Sequence, residues 1–450
     1  MEKYHGMTDG VLLLNNYGEY SQMLHQSFRR GGFTGPVIVI EDDGFFPEDV
    51  ISLYQYFCGD FQKNGKKPGK ARYFNQIDIP DYWEITGSNS GGKVHNLHRE
   101  RGRIFYAEPK HKRLVRVVDW LDEKGIVRSS DHYNRYGVLY ARTFFNKDAK
   151  RFCKAYFDPE GRETILENFV THDIILNRDG RVYVYKGRVD LILKLLEELR
   201  AMESRIFFNS LSTPLFVSER MPAGRRGDVL FWQEGVRNDI PGNMQMILKG
   251  NSRRVQMIYV QNRDSYNKLI ELGASKETLK PLGFAYAYTR QNTFANKALI
   301  CTNSDRIEKC KELIQALPQM HFHIAAITEM SSKLMSLSQY PNVTLHPAAR
   351  MSIIEELFDA CNYYLDINHE TEIVSAVKQA FLHEQLIVGF SQTLHNRAFI
   401  APEHIFNNLE GMIAFFNKVM NHKEMILEQI DLQKKTAMSE EATVYTDLLK

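Results

Sequence analysis

The residues best placed for chemistry in this chain lie in its last third. Asp366-Ile367-Asn368-His369 follows the apolar run YYL, and Ser391–Arg397 follows LIVGF. In open α/β sheets, ligands collect at the carboxyl ends of the strands, so both segments are candidate binding loops. Glu370, Thr371 and Glu372 come next and are expected to open a helix. Exposed amides at a helix start attract an anion such as a diphosphate, but acids there equally stabilise the helix with no ligand at all. His369 reads either as a ligand contact or as a histidine hydrogen-bonded at a loop mouth. Asn396 and Arg397 suit a phosphate or a peptide carbonyl; for Arg397 an ordinary ion pair is the alternative.

Other patterns narrow the chemistry. There is no G-x-x-x-x-G-K-[ST], G-x-G-x-x-G after a strand, H-E-x-x-H or G-x-S-x-G in the chain. Gly87–Gly92 (GSNSGG) reads as a flexible loop. A basic, aromatic stretch runs through Lys63, Lys66, Lys67, Lys70, Arg72 and Tyr73, then His95, His98, Arg99, Arg101 and Arg103. Acids are interleaved, and the arginines around Gly102 suggest a hairpin tip, so a solvated or partner-facing surface is expected rather than a nucleic-acid site. The formal net charge of +2 agrees. Five cysteines without a C-x-x-C point to a reduced compartment, with no disulfide framework and no metal site. The run Val11–Leu14 is too short for a signal-peptide core or a membrane span, which implies a cytoplasmic protein.

The elements that must position these loops follow from periodicity. At 450 residues, with 43% hydrophobic and 25% charged, two or three globular domains are expected. Tyr20–Arg30 has one apolar face, as a half-buried helix needs, and VIVIEDDG (Val37–Gly44) reads as a buried strand ending in acids. From about Tyr56 to Gly187 the helical period vanishes. Short alternating strands are punctuated by Arg101-Gly102, Asp122–Gly125, Asn134–Gly137, Asp158–Gly161 and Asn177–Gly180, which predicts an antiparallel meander. Leu191–Met202 predicts a helix, then RIFFNS, PLFVSE, DVLFWQE and VQMIYV predict strands. In the last third, ALICT, FHIAAIT, VTLH, YYLDIN and LIVGF alternate with helical stretches at Ser304–Leu317, Met330–Leu337, Ser352–Asp359, Glu370–Leu382 and Pro402–Met420. Such alternation predicts a doubly wound parallel sheet.

The expected fold class is therefore α/β: two Rossmann-like domains around a cleft, the GT-B plan, with a β-meander inserted in the first. The boundaries are 1–55 and 188–285 for the N-terminal domain, 56–187 for the insertion, and 286–450 for the C-terminal domain with a helical tail.

Several strings are familiar. ALICTNSDRIE, FHIAAITEMSSKLM, YPNVTLHP, YYLDINHETEIVSAVKQAF and TLHNRAFIAPEHIF, with VIVIEDDGFFPEDVISLYQYFCGD near the N-terminus, resemble the GtfB family of the accessory Sec system. The resemblance implies a non-catalytic subunit that stabilises a GtfA-like O-GlcNAc transferase and binds its acceptor, a serine-rich repeat protein, before export. It implies a hetero-oligomer, a peripheral membrane association and no cofactor of its own. Retaining relatives of the catalytic subunit carry two Glu eight positions apart around the helix after this strand. Here Thr371 and Gln379 fall at those positions, while Glu370 is followed eight later by Lys378 and Glu372 by Ala380. Where donor-binding relatives hold the diphosphate with an Arg and a Lys, Gly283–Asn292 offers Arg290 and no Lys before Lys297. No catalytic residue is expected. Two other readings stay open: an active retaining transferase using UDP-GlcNAc or UDP-glucose, and a scaffold that binds neither nucleotide nor acceptor.

Overall fold

A computed structural model describes residues 10–59, 69–224 and 226–450. Lys63, Lys66 and Lys67 of the basic stretch lie outside these. The chain divides into two units, one formed by residues 1–282 with 442–450 and the other by 283–441.

The first unit holds two sheets. The seven-stranded one is parallel, with Val11–Leu14 in its interior between Ile206–Phe208 and Val37–Val39. Sequence reading made nothing structural of Val11–Leu14. All four of its residues are buried, which is why an unbroken apolar run is tolerated. Asp228–Trp232, Val255–Val260 and Leu279–Pro281 extend the sheet one way, and Val50–Ser52 closes the other edge. PLFVSE proves to be helical, within Thr213–Arg220, with Pro214 in the first turn where its missing N–H costs nothing. A buried ion pair ties this sheet together: Asp228 accepts from Arg254 Nε at 2.8 Å, from Ser218 Oγ at 2.6 Å and from the Ile206 N–H at 2.8 Å.

The second sheet has ten antiparallel strands in chain order, from Glu84–Gly87 to Arg181–Tyr185. Three of the five turn signals sit between strands, and a fourth, Asn177–Gly180, begins in the last two residues of Ile174–Arg178 and turns at Asp179-Gly180. The exception is Arg101-Gly102, which lies inside the strand Arg99–Tyr106; the hairpin tip is at Leu97-His98. Gly102 packs there against Val94, where a Cβ would sit 3.3 Å from the valine side chain. GSNSGG is a tight hairpin, closed by the Ser88 N–H donating to the Gly91 carbonyl at 2.8 Å.

The other unit is built on a six-stranded parallel sheet, ordered Val343–His346, His321–Ala326, Lys297–Thr302, Tyr363–Asp366, Leu386–Phe390 and Ile405–Phe406. Its helices are shorter than the sequence suggests. Ser304–Leu317 is helical only over Cys310–Ala316, after a left-handed Lys309. Pro402–Met420 splits into a 3₁₀ turn at Pro402–His404, the edge strand, and a helix at Leu409–Val419. The tail also divides. Lys423–Thr436 stays with this sheet, whereas Ala442–Leu449 belongs to the first unit. There the fully buried Tyr445 packs its ring 5.5 Å from that of Phe28.

Candidate functional site

The carboxyl end of Tyr363–Asp366 is built by close approach of two strands. A Cβ at Gly389 would lie 2.7 Å from the Asp366 carbonyl, so only glycine allows this spacing. Asp366 is 1% exposed. Its carboxylate accepts from His395 Nδ1 at 2.6 Å and from the His395 N–H at 2.8 Å. His395 Nε2 donates to the Glu370 carbonyl at 2.6 Å. Both ring nitrogens therefore face acceptors, which only an imidazolium satisfies. The Asp366 hydrogen bond, reinforced by the Glu370 carbonyl, outweighs burial and raises the His395 pKa to about 9. Sequence reading placed His395 inside a candidate loop but did not single it out.

The neighbouring candidates are likewise engaged within the fold. Asn368, 2% exposed, accepts from Thr302 Oγ1 at 3.1 Å and donates to the Glu370 carbonyl at 3.0 Å. His369 Nε2 lies 2.6 Å from Glu308, and Glu370 accepts from Arg306 at 2.7 Å. Asn396 accepts from the Ala398 N–H at 3.3 Å, and Arg397 donates to the Ser391 carbonyl at 3.2 Å. Thr371 is exposed.

Two expectations change. Glu370, Thr371 and Glu372 do not open a helix: the helix is Ala376–Leu382, and Val374 and Ser375 before it have φ near +50°. A β-branched residue rarely takes that conformation, so the segment forms a sharp corner. Across the corner the Glu372 carboxylate accepts from the Val377 N–H at 2.7 Å. An internal acid thus occupies the helix start that an anion would use. Arg290 does not join the group. It donates to Asn362 Oδ1 at 3.1 Å and to the Cys361 carbonyl, at the amino end of the strand that ends in Asp366. Four extended residues separate the two ends, roughly 13 Å. The other seven candidates surround the carboxyl end.

Two parallel sheets with flanking helices and an appended antiparallel sheet define a mixed α/β protein. Sequence profiles match it in four consecutive pieces: the GtfB N-terminal domain at 11–57, the GtfB middle domain at 83–186, the GtfB third domain at 188–272 and the GftB/GlyA-F C-terminal domain at 298–433. The chain is 40% identical over 446 residues to the UDP-N-acetylglucosamine–peptide N-acetylglucosaminyltransferase stabilizing protein GtfB of Streptococcus gordonii, covering 98% of each. It is 41% identical to the protein of that name from Streptococcus pneumoniae, over 89% of each. A chain in the crystal structure of the GtfA/B complex bound to UDP and GlcNAc superposes with a TM-score of 0.89 at 39% identity, covering 97% of this chain and 98% of that one. The chain belongs to the GtfB family.

Proposed function

We propose that the chain is the non-catalytic, stabilising subunit of a GtfA-like O-GlcNAc transferase, built on the GT-B plan, and that it binds the Ser/Thr-rich acceptor polypeptide. The similarity supporting this runs the length of relatives named as stabilizing proteins of the transferase. The observation that carries the non-catalytic part is local. By the family resemblance, Thr371 and Gln379 fall where catalytic relatives carry paired acids, and the Glu372 carboxylate accepts from the Val377 N–H. A donor sugar there would find no carboxylate pair for its hydroxyls. Of the candidates at this end of the sheet, His369, Thr371 and Arg397 are exposed; His369 is held by Glu308, so we assign ligand contact first to Thr371 and Arg397.

Partner binding fits the outer strand of the ten-stranded sheet. Arg181–Tyr185 is an edge, and Val182, Tyr183 and Val184 are all exposed on it. An open apolar edge of this kind is usually covered. The reading includes hetero-oligomer formation, a cytoplasmic setting, peripheral membrane association and action before accessory Sec export. Among the described residues, no helix is long and apolar enough to cross a membrane.

Calorimetric titration with UDP-GlcNAc and, separately, with an unglycosylated Ser-rich peptide tests the proposal. Peptide heat without nucleotide heat is expected. Nucleotide binding with sugar transfer by the chain alone would overturn it. Deleting Tyr56–Gly187 is expected to leave the catalytic subunit insoluble on co-expression; an equally soluble and active partner would remove the interface assignment.

A further inference from the structure

A second polar region lies in the first unit, where the carboxyl end of Val37–Val39 meets one face of the ten-stranded sheet. The residues after that strand are Glu41, Asp42 and Asp43. Asp42 is held by Ser52 Oγ, by Gln55 Nε2 at 2.8 Å and by the Gly44 N–H at 2.7 Å. Tyr140 of the antiparallel sheet donates to the Asp42 carbonyl at 3.1 Å, and Tyr156 stacks on Tyr54 with ring centroids 4.0 Å apart. The two sheets are thus clamped on either side of the acids.

The sheet face that meets them carries a row of basic groups. Strand register places Val117 opposite His132, and Thr143 opposite Lys154. His132 Nε2 lies 2.9 Å from Thr143 Oγ1, so these side chains share one face. Arg116 is the extra residue of an irregularity between Val115 and Val117. Lys154 stands in the field of Asp42, Arg116 in that of Asp43, and His132 in the field of both cations. Yet among the described residues neither cation makes an ion-pair contact. Lys154 Nζ rests 4.8 Å above the Tyr156 ring, and Arg116 Nε is buried without a hydrogen-bond partner. Asp43 commits Oδ1 to the Phe45 N–H. By contrast Arg188, close by, pairs with Glu167 at 2.6 Å and with Glu41.

Opposite charges thus lie within electrostatic range without contact, donors on the sheet face and acceptors at the strand end. Buried donors without partners are uncommon and call for a ligand or water. The same face continues, through Val117 opposite Phe105 and Lys93 opposite Arg103, to an open pocket of about 490 Å³ lined by Thr86, Lys93, Arg103 and Phe105. An extended peptide presents alternating C=O and N–H groups, the pattern that such donors and acceptors match irrespective of side chain.

We propose that this trough, from Lys154 and Arg116 to the Phe105 pocket, binds the extended backbone of an uncharged Ser/Thr-rich peptide; this rests on the acceptor-binding reading above. The ammonium and guanidinium take peptide carbonyls, and Asp43 takes an N–H or a hydroxyl.

The test is calorimetry of the full chain with a synthetic unglycosylated Ser/Thr-rich peptide, comparing wild type with Lys154→Met and Arg116→Met. Each variant is expected to weaken binding about tenfold, the scale of a charged hydrogen bond. A peptide of the same side chains with N-methylated amides is expected to bind wild type at least about tenfold more weakly, a measurement that needs no variant. Wild-type affinity in both variants, or full affinity for the N-methylated peptide, would overturn the trough while leaving acceptor binding intact. No binding of the unmodified peptide by wild type would remove both.

Discussion

The two strand ends that carry acids in this protein are furnished in opposite ways. At Asp366 each charged group has its complement in contact: the carboxylate takes two bonds from His395, the imidazolium spans Asp366 and Glu370, and Glu372 covers a helix amide. At Asp42 and Asp43 the complementary cations lie within electrostatic range but out of contact. In a low dielectric the first arrangement stabilises the fold, whereas the second leaves desolvated charge without direct compensation. A strand-end corner that is internally satisfied in this way is compatible with a non-catalytic subunit. An open, mixed-charge trough destabilises the unliganded chain, and a ligand that supplies the missing contacts recovers that cost.

The largest effect separating the two regions is expected at the closed one. Asp366→Asn leaves a mostly buried imidazolium facing an amide and removes two charge-assisted bonds. A loss of about 3 kcal/mol in chemical denaturation is expected, the scale of a broken buried pair. A loss under about 1 kcal/mol would mean that solvent reaches this corner and the contrast is false.

The pH dependence of the same contact is smaller. The folded pKa of His395, about 9, lies above its ordinary 6.5, so the folded chain binds the proton more tightly. This stabilisation is complete below about pH 6.5 and is lost as pH rises through about 9. Discounted for solvent screening, it amounts to about 1–2 kcal/mol. Urea midpoints from pH 6 to 9.5 should fall in wild type and flatten over that window in His395→Asn. Parallel curves would assign the dependence to other groups.

The parallel strands around both regions were legible because a strand buried on both faces must be a continuous apolar run, as in ALICT and VIVI. The meander was legible from its turns, which need Asn, Asp and Gly locally. What failed depends on distant residues. The corner at Val374-Ser375 contradicts the helical pattern of Glu370–Leu382, and nothing in its own composition announces two left-handed residues. The pairing of Asp366 with His395 bridges 29 positions through strand adjacency alone. Arg290 was a ligand-binding candidate as one half of an Arg/Lys pair whose Lys is missing; it lies at the amino end of the strand that ends in Asp366, apart from the other candidates. PLFVSE has strand composition and folds as a helix, with Leu215 and Val217 buried. The trough was invisible for a further reason: Lys154 and Arg116 look like ordinary surface charges until strand register places Lys154, and a strand irregularity places Arg116, in the field of Asp42 and Asp43.

The smallest effect on stability is expected at the open region, and its sign is the sharpest test of the contrast. Burial pushes the Lys154 pKa down, with Asp42, Glu167 and Glu41 opposing the shift only partly. An ammonium in that setting carries a desolvation cost that no direct ion pair with the described residues repays. Lys154→Met removes the charge, together with the ammonium–ring contact at 4.8 Å to Tyr156, and leaves an uncharged side chain of similar length. Stability should therefore stay level or rise by up to about 1 kcal/mol, even though the same change weakens peptide binding. A drop of about 2 kcal/mol or more would mean that Lys154 holds the two sheets together as His395 holds its corner. Both strand ends would then be structural, and the acceptor would have to bind on another surface.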